Sequence, residues 1–254
     1  MEQPMSKDIR STIAPWSANT VTGGTLQSRA AKRGQLYHFF ELSLAHPGEG
    51  GHDYFRMEST ENDFQQAYVS EVQIEAKLVD RGIAAAKRFF TSLRRMSYEE
   101  VESAYISLFT NNYPHLPCPP YGSLFTADDS EKRLEEMLAI KEFYQSHGMD
   151  IAESYDDLPD HLCVELEFLQ MLSFRESEAE EAQDLELIKA VRAAEAEFLD
   201  RHLLPFATRL AGLAAGSVPD NPYSDLLETA RCFLLAHRIE LGKPVALTLG
   251  TLRS

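Results

Sequence analysis

Tryptophan and cysteine are nearly absent from this chain, long apolar runs are missing, and positive charge is scarce. Its three cysteines, Cys118, Cys163 and Cys232, are odd in number, far apart and without a CxxC pair. They indicate neither a disulfide framework nor a structural zinc site, and they point to a reducing compartment. No run of about 18 apolar residues occurs, and the N-terminus lacks the apolar core of an export leader. Neither membrane insertion nor secretion is expected, so the chain reads as cytoplasmic. Against 40 Asp and Glu there are 24 Lys and Arg, a formal net charge of −16. A phosphate backbone needs a basic surface, so nucleic acid is disfavoured and basic partners are favoured. GxGxxG, P-loop, HExxH and GxSxG signatures are also missing, which removes the common cofactor, phosphate and nucleophile motifs.

What is present is helical. The 254 residues are 44% hydrophobic, enough for a substantial core. Apolar positions recur at helical spacing in nearly every segment after residue 29, and no alternation of period two is sustained. An all-α, single-domain bundle of several helices is expected. Residues 1–28 carry polar and turn-forming residues without periodicity and read as a mobile tail containing Trp16, the sole tryptophan. The domain is expected over 29–242, with a second tail over 243–254.

Within the domain, a first helix over 29–45 ends at Pro47 and Gly48, followed by a polar loop with Gly50 and Gly51. A long helical stretch is expected from Asn62 to Leu93 with an interruption near Gly82. Ser97 and Glu100 form a capping box opening the next helix, which carries Tyr105, Leu108 and Phe109. Pro117, Pro119 and Pro120 then fix an extended or turning segment bearing Tyr121, Ser123 and Phe125. Asp128 or Ser130 caps a helix stopping at Gly148. The acidic run 176–186 reads as a solvated helix start leading into an amphipathic segment with Leu187, Ile188, Val191 and Phe198. Pro205 marks a kink or break before a short helix to Ala215, and a last long helix starts near Tyr223.

The stretch DLPDHLCVELEFLQML at 157–172 organises the rest. Asp157 reads as the N-cap, Pro159 as a first-turn residue, and Asp160 as negative charge at the positive end of the helix dipole. Leu162, Leu166, Leu169 and Leu172 form a core stripe, while His161 and Glu165, four apart, meet on the helix surface. With His147 and His202 they are the best candidates for metal ligands. A ferritin-like site needs paired ExxH motifs, and these are absent, so no metal or other cofactor is assigned. A helix start presenting Asp, His and Glu beside apolar residues suits a ligand with cationic and apolar parts.

Taken together, RGQLYHFFELSLAHP in the first helix, Tyr105 with Leu108 and Phe109 leading to PCPPYGSLF, the PDHLCVELEFLQML stretch, and FLDRHLLPF resemble the TorD/DmsD/NarJ family of molybdoenzyme-specific chaperones. The resemblance spans roughly residues 33–240 and departs from the commoner pattern in having Phe206 where Trp usually follows the proline. It implies a TorD/DmsD-like all-α domain with no catalytic activity. The implied partner is the catalytic subunit of a molybdenum oxidoreductase of the dimethyl sulfoxide reductase superfamily. Its N-terminal, often twin-arginine, segment is bound, the apo-enzyme is held until the molybdopterin guanine dinucleotide is inserted, and export is delayed. The resemblance leaves open a monomer or a domain-swapped dimer. In this sequence Asp160 and Glu165 are expected to pair with the peptide's arginines, and His161 to orient or hydrogen-bond. Tyr105, Phe109, Pro120, Tyr121 and Leu162 are expected to line the apolar part, with Ser123 and His202 completing the set. Two other readings stand beside it: an interaction or regulatory module for another basic amphipathic helix, and a small helical enzyme with a His/Glu metal site.

Overall fold

A computed structural model describes residues 28–72, 75–110, 116–152, 155 and 157–242. Trp16, residues 1–27 of the tail expected over 1–28, and the tail expected over 243–254 lie outside the described residues, while Ser28 is the N-cap of the first helix. The architecture is all-α. In chain order the helices are α1 (Arg29–Leu44), α2 (Glu49–Phe55), α3 (Glu58–Glu71), α4 (Ala76–Arg95), α5 (Tyr98–Tyr105), α6 (Ser123–Thr126), α7 (Ser130–Ser146), α8 (Leu162–Glu181), α9 (Leu185–Phe198), α10 (Leu204–Ser217) and α11 (Pro222–Leu241). Single π-helical turns, Ile106–Thr110 and Leu199–Leu203, extend α5 and join α9 to α10. Among the described residues there is no strand, only an isolated antiparallel bridge between Tyr121 and His161.

Two long pairs form the frame, α1 along α8 and α4 along α11, with α9 and α10 closing the side between them. The apolar spacing read from the sequence supplies the contacts. Phe39 and Phe40 of α1 meet Phe64 of α3 at 4.4 and 5.9 Å between ring centroids, and Phe40 meets Phe233 of α11 at 5.5 Å. A second cluster joins Tyr144 of α7, Phe168 of α8 and Phe198 of α9, at 4.8 and 4.7 Å. Each such buried side chain contributes about 1.5–3 kcal/mol. The leucine stripe of α8 is buried throughout, as expected.

Several boundaries differ from the sequence reading. The loop expected at Gly50 and Gly51 is α2. The long second helix breaks between Glu71 and Ala76 rather than at Gly82, which sits inside α4 where a Cβ would lie 1.9 Å from the Tyr68 hydroxyl oxygen. Asp129, not Asp128 or Ser130, caps α7 by accepting from the Lys132 amide. The turn after α7 is His147–Gly148, and the Gly148 φ of 81° is open to glycine without strain. Leu187 is exposed, and α10 runs on to Ser217. The π turn before Pro205 has a direct cause: proline has no N–H to close the regular bond, so the turn before it is free to widen.

The largest departure concerns residues 176–186. Asp184–Glu186 are the exposed helix start that the sequence predicts, the N-cap and first residues of α9, but residues 176–181 are the end of α8, and Glu176 is buried. The reason lies elsewhere in the chain: Arg33 of α1 pairs with Glu176 and lies 3.8 Å from Glu195, while Arg192 reaches Glu176 at 3.0 Å. His237 approaches Glu195 at 3.5 Å, and its Nδ1 is 2.7 Å from the Tyr37 hydroxyl. Burial would raise Glu195, but Arg33 and His237 hold it below the usual carboxylate range. This network ties α1, α8, α9 and α11 together inside the bundle.

Candidate functional site

Helix α8 begins at Leu162, four residues later than a helix started by Asp157 and Pro159 would. His161 is its N-cap, with Nδ1 accepting the Cys163 amide at 3.1 Å. The local signal was a sound one, but Asp160 is drawn to another task. Its Oδ2 accepts the Ser123 amide at 2.8 Å, and its carbonyl accepts the Gly122 amide at 2.9 Å. The Leu162 amide donates to the Pro120 carbonyl, also at 2.9 Å. The proline segment is therefore laced to the start of α8, as the bridge between Tyr121 and His161 records. Adjacent side chains then face opposite ways. That of Asp160 turns inward, and that of His161 meets the Tyr121 ring at 5.4 Å and Asp157 at 3.8 Å.

Inward of this seam lies a small hollow, about 10 Å³, lined by Gly122, Ser123, Thr126, Glu136, Ile140, Asp160, Glu165 and His202. That is room for about one water molecule. Ser123, Asp160, Glu165 and His202 are buried, Glu136 is partly so and Thr126 is exposed; three atoms, Asp160 Oδ1, Glu165 Oε2 and His202 Nε2, have no hydrogen-bond partner among the described residues. Burial, with Asp160 beside it, lifts the Glu165 carboxyl well above the usual carboxylate range. Burial, reinforced by Arg201, lowers His202 to about 4. His161 is lowered by burial, against the opposing pull of Asp157 and Asp160. Tyr121 is pushed up to about 12 by burial and by donating to Asp157. Leaving carboxylate oxygens unpaired at such depth costs free energy, which a cation with hydrogen-bond donors would recover.

Of the residues singled out in the sequence, Ser123, Asp160, Glu165 and His202 come together around the hollow, and Pro120, Tyr121, His161 and Leu162 form the seam beside it. His161 and Glu165 do not meet on a helix surface, because His161 is a cap and Glu165 points into the hollow. Tyr105 and Phe109 do not line it. They are buried in an aromatic group with Tyr223, at 5.3 and 5.7 Å, where they serve the core. Glu136 and Thr126 are the wall residues that sequence reasoning missed. Neither lies in a motif, and α7 brings Glu136 in from a different part of the chain. His202 owes its place to the π turn. Among the described residues no group of three or more His, Cys, Asp and Glu side chains is arranged to hold a metal ion, and no helix is long and apolar enough to cross a membrane.

Fold and site together define an all-helical domain whose chief polar feature is an acidic hollow under a proline-rich seam. The chain belongs to the nitrate reductase delta subunit family, which matches residues 75–212, more than half of its length, in agreement with the resemblance to the TorD/DmsD/NarJ proteins. It is 26% identical over 147 residues to the perchlorate reductase assembly chaperone protein of Dechloromonas aromatica (strain RCB), covering 57% of this chain and 63% of that protein. It is 34% identical over 114 residues to the selenate reductase assembly chaperone protein of Thauera selenatis, covering 43% and 53%. The aligned region thus spans less than two thirds of either relative. A solved structure described as a candidate redox enzyme maturation protein from Archaeoglobus fulgidus aligns at 21% identity and a TM-score of 0.43, over 89% of this chain and 99% of that one.

Proposed function

We propose that this protein is a cytoplasmic assembly chaperone that binds the N-terminal, arginine-bearing segment of a molybdenum oxidoreductase's catalytic subunit. It holds that subunit during cofactor insertion, before export, and carries out no turnover of its own. The observation that carries this reading is the set of buried polar atoms around the hollow with no hydrogen-bond partner among the described residues: the carboxyl oxygens Asp160 Oδ1 and Glu165 Oε2 and the ring nitrogen His202 Nε2. A guanidinium offers five donors and a permanent charge to such a set, and hydrogen bonds to charged groups are worth about 1.5–3 kcal/mol each. Ser123 and the Asp160 carbonyl fix the seam, while Tyr121 and His161 stand at its outer side. The hollow is smaller than a guanidinium, so one wall yields on binding. That wall is α7, of whose 17 residues only Ile140 and Tyr144 are buried.

The test is calorimetry of the full chain with a synthetic peptide carrying two adjacent arginines ahead of a Leu/Ala-rich helical run. The Asp160→Asn/Glu165→Gln variant, which keeps shape and removes charge, is expected to bind at least tenfold more weakly while retaining its helical circular dichroism. Equal affinity in a folded double variant rejects the assignment of these residues.

A further inference from the structure

Resting on that reading, we infer that the apolar half of the captured segment docks on the outward corner of α6 and α7, against Leu124, Leu134 and Leu138, with the glutamates of α7 alongside. Of the residues that the sequence offered for this purpose, Tyr105, Phe109, Pro120 and Leu162 are buried, and Tyr121 alone keeps partial exposure. Exposed apolar area lies instead on the elements that wall the hollow. Leu134 and Leu138 are 55% and 52% exposed, the two most exposed large apolar side chains among the described residues, and Leu124 is 38% exposed. Four apart on one helix, Leu134 and Leu138 are neighbours on its surface. Leu124 follows Ser123, a lining residue of the hollow, and α6 packs directly against α7.

Charge identifies the occupant. Glu131, Glu135 and Glu142 fall at i, i+4 and i+11 on α7, on the side opposite buried Ile140 and next to Leu138. Lys132 is occupied by Asp128 and Asp129 at 3.8 and 3.9 Å. The three glutamates have no ion-pair partner among the described residues. An apolar pair beside an unpaired acidic stripe complements a helix with one apolar face and basic flanks. The same helix turns Glu136 and Ile140 toward the hollow. One peptide places its cation in the hollow on one side of α7 and crosses the helix to lay its apolar run on the opposite face, which Leu134 and Leu138 share.

The experiment uses the full chain and two synthetic peptides. The first is the diarginine peptide with its Leu/Ala-rich run, and in the second that run is replaced by Ser and Gly. The Leu134→Ser/Leu138→Ser variant alters only exposed positions and should keep its circular dichroism. Its affinity for the first peptide is expected to fall about tenfold, with affinity for the second unchanged. Glu131→Gln/Glu135→Gln should flatten the salt dependence of binding to the first peptide. Undiminished affinity of the leucine variant for the first peptide overturns the inference. So does an equal loss for both peptides, or a change of oligomeric state on sizing, which would make this face a contact between copies of the chain. If the Glu165→Gln variant loses both peptides while the leucine variant loses neither, capture in the hollow stands and the α7 surface falls. If the wild-type chain binds neither peptide, both fall.

Discussion

The side chain of Asp160 accepts the backbone amide of Ser123 at 2.8 Å, joining residues 37 apart in sequence. The bond satisfies the first amide of α6, holds the proline segment against the start of α8, and leaves the other oxygen of Asp160 aimed into the hollow. One residue thus closes the site and charges it.

Asp160→Ala should therefore lower stability by about 1–3 kcal/mol in urea unfolding, through the orphaned Ser123 amide. Asp160→Asn, which keeps an acceptor, should recover most of that loss without recovering peptide affinity. A stability loss in Asn equal to that in Ala would show that charge, not the hydrogen bond, is what holds the seam.

Gly122 separates binding from folding. Its φ of −60° and ψ of −43° suit any residue, yet a Cβ there would stand 2.9 Å from Glu165 Oε1, the mobile end of a side chain. Gly122→Ala should leave the melting temperature unchanged or slightly higher. It should also weaken binding of the diarginine peptide severalfold by displacing the carboxylate, as titration calorimetry would read.

At Gly82 no such accommodation exists. The added methyl would meet the Tyr68 hydroxyl oxygen at 1.9 Å and its ring carbon at 2.6 Å, and Tyr68 is wholly buried. Gly82→Ala should destabilise by about 1–3 kcal/mol or more. Combining it with Tyr68→Ala should cost less than the two single losses added together, a coupling that a double-mutant cycle detects.

Removing Arg33 strips the buried carboxylates Glu176 and Glu195 of a shared cation. Arg33→Leu should cost about 3–5 kcal/mol. Arg238 pairs with exposed Asp200 at 2.6 and 2.8 Å, and Arg238→Ala should change stability by less than about 1 kcal/mol. Denaturant midpoints of the two variants compare them directly.

Burial raises Glu71 to about 7, against the opposing influence of Arg33, Arg29 and Lys32. A carboxyl whose folded pKa stands above its ordinary 4.5 adds stability that is complete below about 4.5 and is lost as pH climbs through about 7. Glu71→Gln escapes that loss. Its melting temperature relative to wild type should rise across this interval and level off above it, and a flat difference would place the titration elsewhere.

Much of the fold follows from patterns within a few residues of one another. The Ser97 and Glu100 capping box forms as written, because both partners sit within one turn. The α8 leucines face the core as their three- and four-residue spacing predicts, joined there by Val164 and Phe168. The family could also be read from the motifs themselves, since PPYGS and PDHL survive as contiguous strings. Errors fell where a local signal met a distant partner. Asp157 and Pro159 resemble a helix start, but the Asp160 hydrogen bond to Ser123 postpones α8 to Leu162. Glu176, at the head of the acidic run, resembles a solvated residue until Arg33, 143 residues before it, is folded against it.

The sequence by itself determined that this chain is helical, acidic and akin to a known family, because helical periodicity, charge and motif strings are properties of neighbours along a chain. Only the tertiary structure decided which carboxylates are enclosed, that Glu136 joins Asp160, Glu165 and His202, and that Tyr105 and Phe109 belong to the core. Those outcomes depend on which helices meet, and burial is what turns an ordinary glutamate into an unpaired acceptor.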